Sequence, residues 1–124
     1  MASLKTSQAW KHFAAYIKKR DRYTCFTCDR KAEGSGLHAG HFVQAFGHQN
    51  TFFNEKNVAA QCYNCNINKY GNIWEYGQRL NKKYGEGTTE ELTKLGKVYK
   101  QWAKKELKEL AKKYKELTKS LHLL

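Results

Sequence analysis

Apolar residues recur at helical spacing near the start of the chain. Trp10, Phe13, Ala14 and Ile17 share one face of "SQAWKHFAAYIKKRD", and Lys11, Lys18 and Lys19 lie on the polar side. This predicts an amphipathic helix with Ser7 placed to cap it. Residues 25–36 read as a knuckle-like turn followed by the loop Gly34-Ser35-Gly36. "LHAGHFV" predicts a short strand, 43–56 a loop rich in glycine, asparagine and aromatics, and 57–70 a strand end running into a helix. Gly71, Gly77, Gly85 and Gly87 punctuate the next stretch of chain.

From Thr88 the pattern predicts one long helix. Leu92, Leu95, Tyr99, Ala103, Leu107, Leu110, Tyr114, Leu117, Leu121 and Leu124 step by three or four. Thr88 or Thr89 can cap it, and Glu90 and Glu91 suit its first turn. From Ala103 the steps alternate in heptad fashion. Such a stripe either docks on its own domain or forms the seam of a homodimer. The chain contains no proline, so nothing of that kind interrupts its helices.

Composition turns this pattern into one small domain with a polyanionic partner. A chain of 124 residues suits a single domain, and 40% hydrophobic content gives it a modest core that a metal would reinforce. The net charge of +12 points to nucleic acid, with an acidic membrane surface as the plainer rival. Residues 1–24, the basic N-terminal helix, carry six basic and one acidic side chain. Residues 88–124, the C-terminal helix, carry ten and five, while the central 25–87 carries seven and five. No apolar run approaches the roughly 20 residues of a membrane span. "MASLKTSQAW" also lacks the apolar region of a secretory signal, so a reducing cytoplasm is the expected compartment. Clustered cysteines in that setting are metal ligands before they are disulfides.

The cysteines form two pairs, Cys25-x-x-Cys28 and Cys62-x-x-Cys65, with none left over. Two such pairs supply four thiolates for one tetrahedral structural zinc. The 33 residues between the pairs exceed an ordinary zinc-ribbon spacing, and this insert holds "HAGHF" with His38 and His41. Asn57 precedes the second pair by five residues, Asn66 follows Cys65 directly, and Lys69 comes three residues later.

This ordered series of CxxC, HxxH, Asn and CxxCNxxK resembles the HNH, or ββα-metal, nucleases. Residues 10–95 resemble more specifically the phage NinG (Rap) recombination endonucleases. The matching stretches are "YIKKRDRYTCFTC", "HAGHF", "FNEKNVAAQCYNCN", "GNIWEYGQRL" and "KKYG". The cysteine-bracketed arrangement with Asn after the last Cys is also similar to phage endonuclease VII. The resemblance implies a small α+β fold, a zinc-stapled ββα-metal core flanked by an N-terminal and a long C-terminal helix. It implies a DNA endonuclease, phage-encoded and working in a bacterial host cell, that cuts branched recombination intermediates with one Mg²⁺ or Mn²⁺. The alternative is a zinc-stapled DNA-binding module whose nuclease site has decayed.

Each residue takes its role by position. His41 matches the general base, and an imidazole with a pKa near 6.5 can take a proton from water. Asn66 matches a ligand of the catalytic cation, and its amide oxygen suits a hard ion. Asn57 matches the residue that ties the inter-strand loop and aims the base. Most family members place an Asp before the base, whereas this chain has Gly40. His38 is the nearest donor and the candidate second ligand of the catalytic cation if a bulge at Ala39-Gly40 brings it to the side of His41; the alternative is that waters and phosphate oxygens fill the shell and His38 packs. Phe52 stands where an Arg is usual; it reads as core, with stacking against a base as the alternative. Lys18, Lys19, Arg20, Lys69, Arg79, Lys82 and Lys83 are the expected contacts to the DNA backbone.

Overall fold

The computed structural model describes residues 4–122. Helix α1 (Gln8–Arg20) opens on Ser7, whose hydroxyl accepts a hydrogen bond from the Trp10 N–H at 3.1 Å. It ends where Arg22 and Tyr23 take positive φ and turn the chain back. A single bridge, Thr24 to Lys31, then closes the turn that carries Cys25 and Cys28. The Phe26 N–H donates to the Ala60 carbonyl at 2.7 Å and ties this turn to the sheet.

The sheet has two antiparallel strands, β1 (Leu37–His41) and β2 (Val58–Cys62). Its register is regular, Leu37 opposite Cys62 through to His41 opposite Val58. The bulge that would bring His38 to the side of His41 does not form at Ala39-Gly40. Side chains alternate without interruption, so His38 and Gly40 share one face and His41 takes the other.

The two faces carry different layers. Ala39 and Val58 pack with Phe13 and Ile17 of α1, with Phe52 and Phe53, and with Tyr114. Phe52 is therefore a core residue, as its sequence suggested. Ala59 packs instead with Tyr76, Leu80 and Leu92. These belong to α2 (Ile73–Tyr84) and α3 (Thr88–Gly96). After β2 comes one π-helical turn, Asn64–Asn68, presenting Cys65 and Asn66.

Helix α2 occupies a stretch expected to be broken by glycine. Gly77 lies inside it, and a Cβ there would come within 3.3 Å of Phe42 and 3.4 Å of Thr89. The glycine thus lets the helix approach its neighbours, which local propensity does not register.

The predicted long C-terminal helix is two helices. Helix α3 stops at Gly96, and α4 (Lys104–Ser120) starts afresh after an extended Ala103. The reason is tertiary. Gly96 is buried, and a Cβ there would meet Val43 at 2.9 Å. Trp102 then leaves the helical path to donate from Nε1 to the Gln49 carbonyl at 2.8 Å and to pack edge-on against Phe53. Tyr99, assigned to the apolar stripe, is 84% exposed. The stripe resumes on α4, where Leu107, Leu110, Tyr114 and Leu117 pack on the α1 layer. Its docking partner is α1 of the same chain. Leu124 lies outside the described residues. Among the described residues no helix is long and apolar enough to cross a membrane.

Candidate metal centre and catalytic pocket

The cysteine pairs meet where the Cys25–Cys28 turn crosses the end of β2. The four sulfur atoms lie within 4.8 Å of one another, and Cys28 Sγ is 3.7 Å from Cys62 Sγ. A tetrahedral site with Zn–S near 2.3 Å sets its sulfurs roughly 3.8 Å apart, so the set can hold one zinc ion. Burial raises the Cys25 thiol, but hydrogen bonds from Thr27 and from backbone N–H groups overcome it and hold it at about 7. Burial pushes Cys28 up to about 12, helped by hydrogen bonds shared with its sulfur neighbours. Burial also raises Cys65. One thiol ionises readily while its neighbours resist, and a divalent cation removes that resistance.

A pocket of about 170 Å³ opens beside β1. Gly40, His41, Gln44, Asn66, Tyr70 and Lys5 are among its lining residues. The structure therefore brings His41 and Asn66 to one cavity. The His41 ring stacks on Trp10, 5.1 Å between centroids at 18°, and leans on Phe52 at 4.8 Å. Its Nε2 lies 3.0 Å from the Phe52 carbonyl. A carbonyl only accepts, so the ring proton sits on Nε2 and Nδ1 carries the free lone pair. Burial lowers this histidine to about 4, against the Phe52 hydrogen bond and with help from the Lys5 charge. It is neutral at physiological pH.

His38 lies on the opposite face of the sheet from His41. The Asn66 amide Nδ2 is 2.8 Å from His38 Nδ1 and edge-on packing with Tyr63 holds the ring. With Nδ1 accepting, the His38 proton is on Nε2 and the Asn66 amide oxygen is turned away from the ring.

Asn57 is completely buried. Its Oδ1 accepts from the Val43 N–H at 2.7 Å, and its Nδ2 donates to the carbonyls of Val43 and Thr51, both at 3.1 Å. The loop after His41 is fastened to the start of β2 by one side chain. Removing it strands three backbone groups, each worth about 1–3 kcal/mol when left unpaired. Asn57→Ala is expected to lower the unfolding free energy by roughly 3–5 kcal/mol, read by urea denaturation of the zinc-loaded protein.

Two further residues at this site gave no recognised signal in the sequence. Tyr76, fully buried on α2, donates from its hydroxyl to the Gly40 carbonyl at 2.7 Å and so fixes the strand under the pocket. Gln61, fully buried, donates from Nε2 to Thr27 Oγ1 at 3.1 Å and to the Gly71 carbonyl at 2.8 Å. Its position directly before Cys62 was the available cue.

The basic residues divide by what they already hold. Arg20 pairs with Asp21 at 2.8 Å and donates to the carbonyls of Glu55 and Val58, inside the fold. Arg79 bridges Glu75 and Asp29 and also reaches the Phe26 carbonyl. Lys19 donates to the Thr118 carbonyl on α4. Lys83 lies over the rings of Phe26 and Tyr84. Lys69 directly follows the turn that carries Asn66, and it is exposed, as is Lys82 on α2.

No solved structure matches this chain. "Protein ninG" of Escherichia phage lambda is 31% identical over 86 residues, covering 68% of this chain and 42% of that protein. "Protein ninG" of Salmonella phage P22 is 30% identical over the same length and coverage. The chain thus spans less than half the length of these curated relatives. The family described as "Bacteriophage Lambda NinG protein" matches residues 3–123. The chain belongs to the NinG family.

Proposed function

We propose that this chain is a metal-dependent DNA endonuclease of the HNH type, acting on branched recombination intermediates. One observation carries the reading. His41, with its proton held on Nε2 by Phe52 and its Nδ1 lone pair free, shares a pocket with the amide of Asn66. That pocket stands next to a cysteine quartet that can hold zinc.

His41 Nδ1 takes the proton of a water molecule, and the hydroxide attacks the phosphodiester phosphorus in line with the departing 3′ oxygen. Burial keeps the imidazole neutral, and the Phe52 hydrogen bond aims it. Asn57 and Tyr76 hold the loop and strand on either side of it. Asn66 presents an amide oxygen to Mg²⁺ or Mn²⁺, and the His38 contact fixes which way that amide faces. When bound, the cation stabilises charge on the leaving oxygen.

Charge and exposed aromatics together account for substrate binding. The chain carries +12. Lys18, Lys69 and Lys82 are the candidate phosphate contacts, while Arg20 and Arg79 serve mainly as struts. Tyr70 lines the pocket and is 87% exposed, and Phe46 and Trp74, each next to a lining residue, are also exposed. Such rings stack on unpaired bases, which branched DNA offers and intact duplex does not.

The test is incubation of labelled duplex, flap and four-way DNA with the zinc-loaded chain and Mn²⁺. Cleavage is expected on the flap and four-way substrates ahead of duplex. Salt-dependent binding without cleavage of any substrate would favour a DNA-binding module instead.

A further inference from the structure

Gly40 leaves a gap in the proposed cation shell, and the structure fills it from the neighbouring strand. A Cβ built on Gly40 would collide with Gln61 Oε1, and it would lie 3.0 Å from Asn66 Oδ1. Two amide oxygens therefore converge on the space above Gly40. Gln61 comes from β2, opposite His38 and on the same sheet face as Gly40.

The orientation of the Gln61 amide is fixed by chemistry. Its nitrogen faces the Gly71 carbonyl at 2.8 Å, and a reversed amide would set two acceptors against each other there. The oxygen must then point at Gly40. Among the described residues, Gln61 Oε1 is the one buried side-chain polar atom with no hydrogen-bond partner. A buried carbonyl oxygen left this way is costly, and buried polar groups are ordinarily satisfied. An orphaned oxygen aimed beside a second amide oxygen, directly behind the pocket-lining Gly40 and Asn66, suits a hard divalent cation.

We infer that Gln61 is a ligand of the catalytic Mg²⁺ or Mn²⁺, replacing through its amide oxygen the side chain that position 40 lacks. This rests on the nuclease reading above and deepens it. Asn66 and Gln61 supply two neutral protein oxygens, and water and substrate phosphate complete the shell. His38 is then a positioning residue, since it holds the Asn66 nitrogen and leaves the oxygen free for the cation. A neutral two-oxygen site binds weakly until a phosphate joins it, which couples cation retention to substrate.

The experiment measures Mn²⁺ binding to the full zinc-loaded chain by electron paramagnetic resonance, with a short DNA duplex present. Zinc content and melting are recorded for every variant. Wild type is expected to bind one Mn²⁺ beyond zinc. Gln61→Met, close in shape but without the oxygen, is expected to weaken that binding at least about tenfold with zinc retained. The double variant Gly40→Asp with Gln61→Ala is expected to recover it, because a carboxylate grown from position 40 occupies the space that Gln61 vacates. It also serves if Gln61→Met fails to fold.

Two results overturn the inference and are distinguishable. If Gln61→Met binds Mn²⁺ as wild type does while Asn66→Ala does not, Gln61 is no ligand and the nuclease reading stands. A reversed Asn66 amide that donates to Gln61 would give that outcome, with a lowered melting temperature alone. If wild type binds no Mn²⁺ beyond zinc, the nuclease reading fails with it.

Discussion

Cys62→Ser is expected to leave the centre of the chain unfolded. Cys62 sits at the end of β2, is buried, and its sulfur is 3.7 Å from Cys28 Sγ. It also accepts from the Cys65 N–H, so one residue links the strand, the Cys25–Cys28 turn and the π-helical turn. Structural zinc contributes on the order of 10–16 kcal/mol at pH 7, against a total stability of about 5–15 kcal/mol for an ordinary domain. The core around the cysteines is thin. Among the described residues, Ala32 alone is the apolar residue packed against the buried Cys25, Cys62 and Cys65. Losing zinc therefore exceeds what packing there can offset. Metal analysis should give less than one zinc per chain, and circular dichroism should show loss of the cooperative melt. A variant that melts as wild type does would show that zinc does not hold the centre of the chain together.

The second large effect is on chemistry. His41→Ala is expected to slow cleavage by about 10²–10⁴-fold, the usual contribution of a positioned base. DNA affinity should change little, because the half-buried ring packs between Trp10 and Phe52 and its charge is suppressed. Some stability goes with it, since Trp10 and Phe52 lose a stacking partner, so rates must be compared below the melting temperature of the variant. Single-turnover rates on a labelled flap at matched protein occupancy give the number. An unchanged rate would assign the proton transfer to another group.

Features built from local spacing were more legible in the sequence than the tertiary framework. The cysteine spacing anticipated a quartet that the fold assembles, because two-residue spacers act locally and need only one turn each. Helix α1 and its Ser7 cap were equally local. Asn57 was assigned to a loop-tying role, and its three backbone hydrogen bonds have that form. The C-terminal stripe was readable on α4, where the periodicity is regular and α1 receives it.

The hidden features depended on distant partners. Apolar periodicity runs straight across residues 97–103, yet Trp102 leaves the helix for Gln49, more than fifty positions away in sequence. Gly77 looked like a breaker and is a packing position. Arg20 was expected to contact the DNA backbone and is bonded to Asp21, Glu55 and Val58. Gln61 looked like an unremarked strand residue. Only the regular register, which sets Gln61 on the face of Gly40, reveals that its oxygen fills the place of the absent side chain. The same register separates the two histidines of "HAGHF", assigning His41 to the aromatic layer and His38 to Asn66.

His41 and Asn66 are proposed to form one metal-dependent cutting site. The direct measurement is cleavage of a labelled four-way junction by the zinc-loaded chain, with and without Mn²⁺, run beside Asn66→Ala at the same zinc content. Nicked product is expected only when Mn²⁺ is present, and that product is expected to be lost in Asn66→Ala with junction binding retained. No product with Mn²⁺, or equal product from Asn66→Ala, would contradict it.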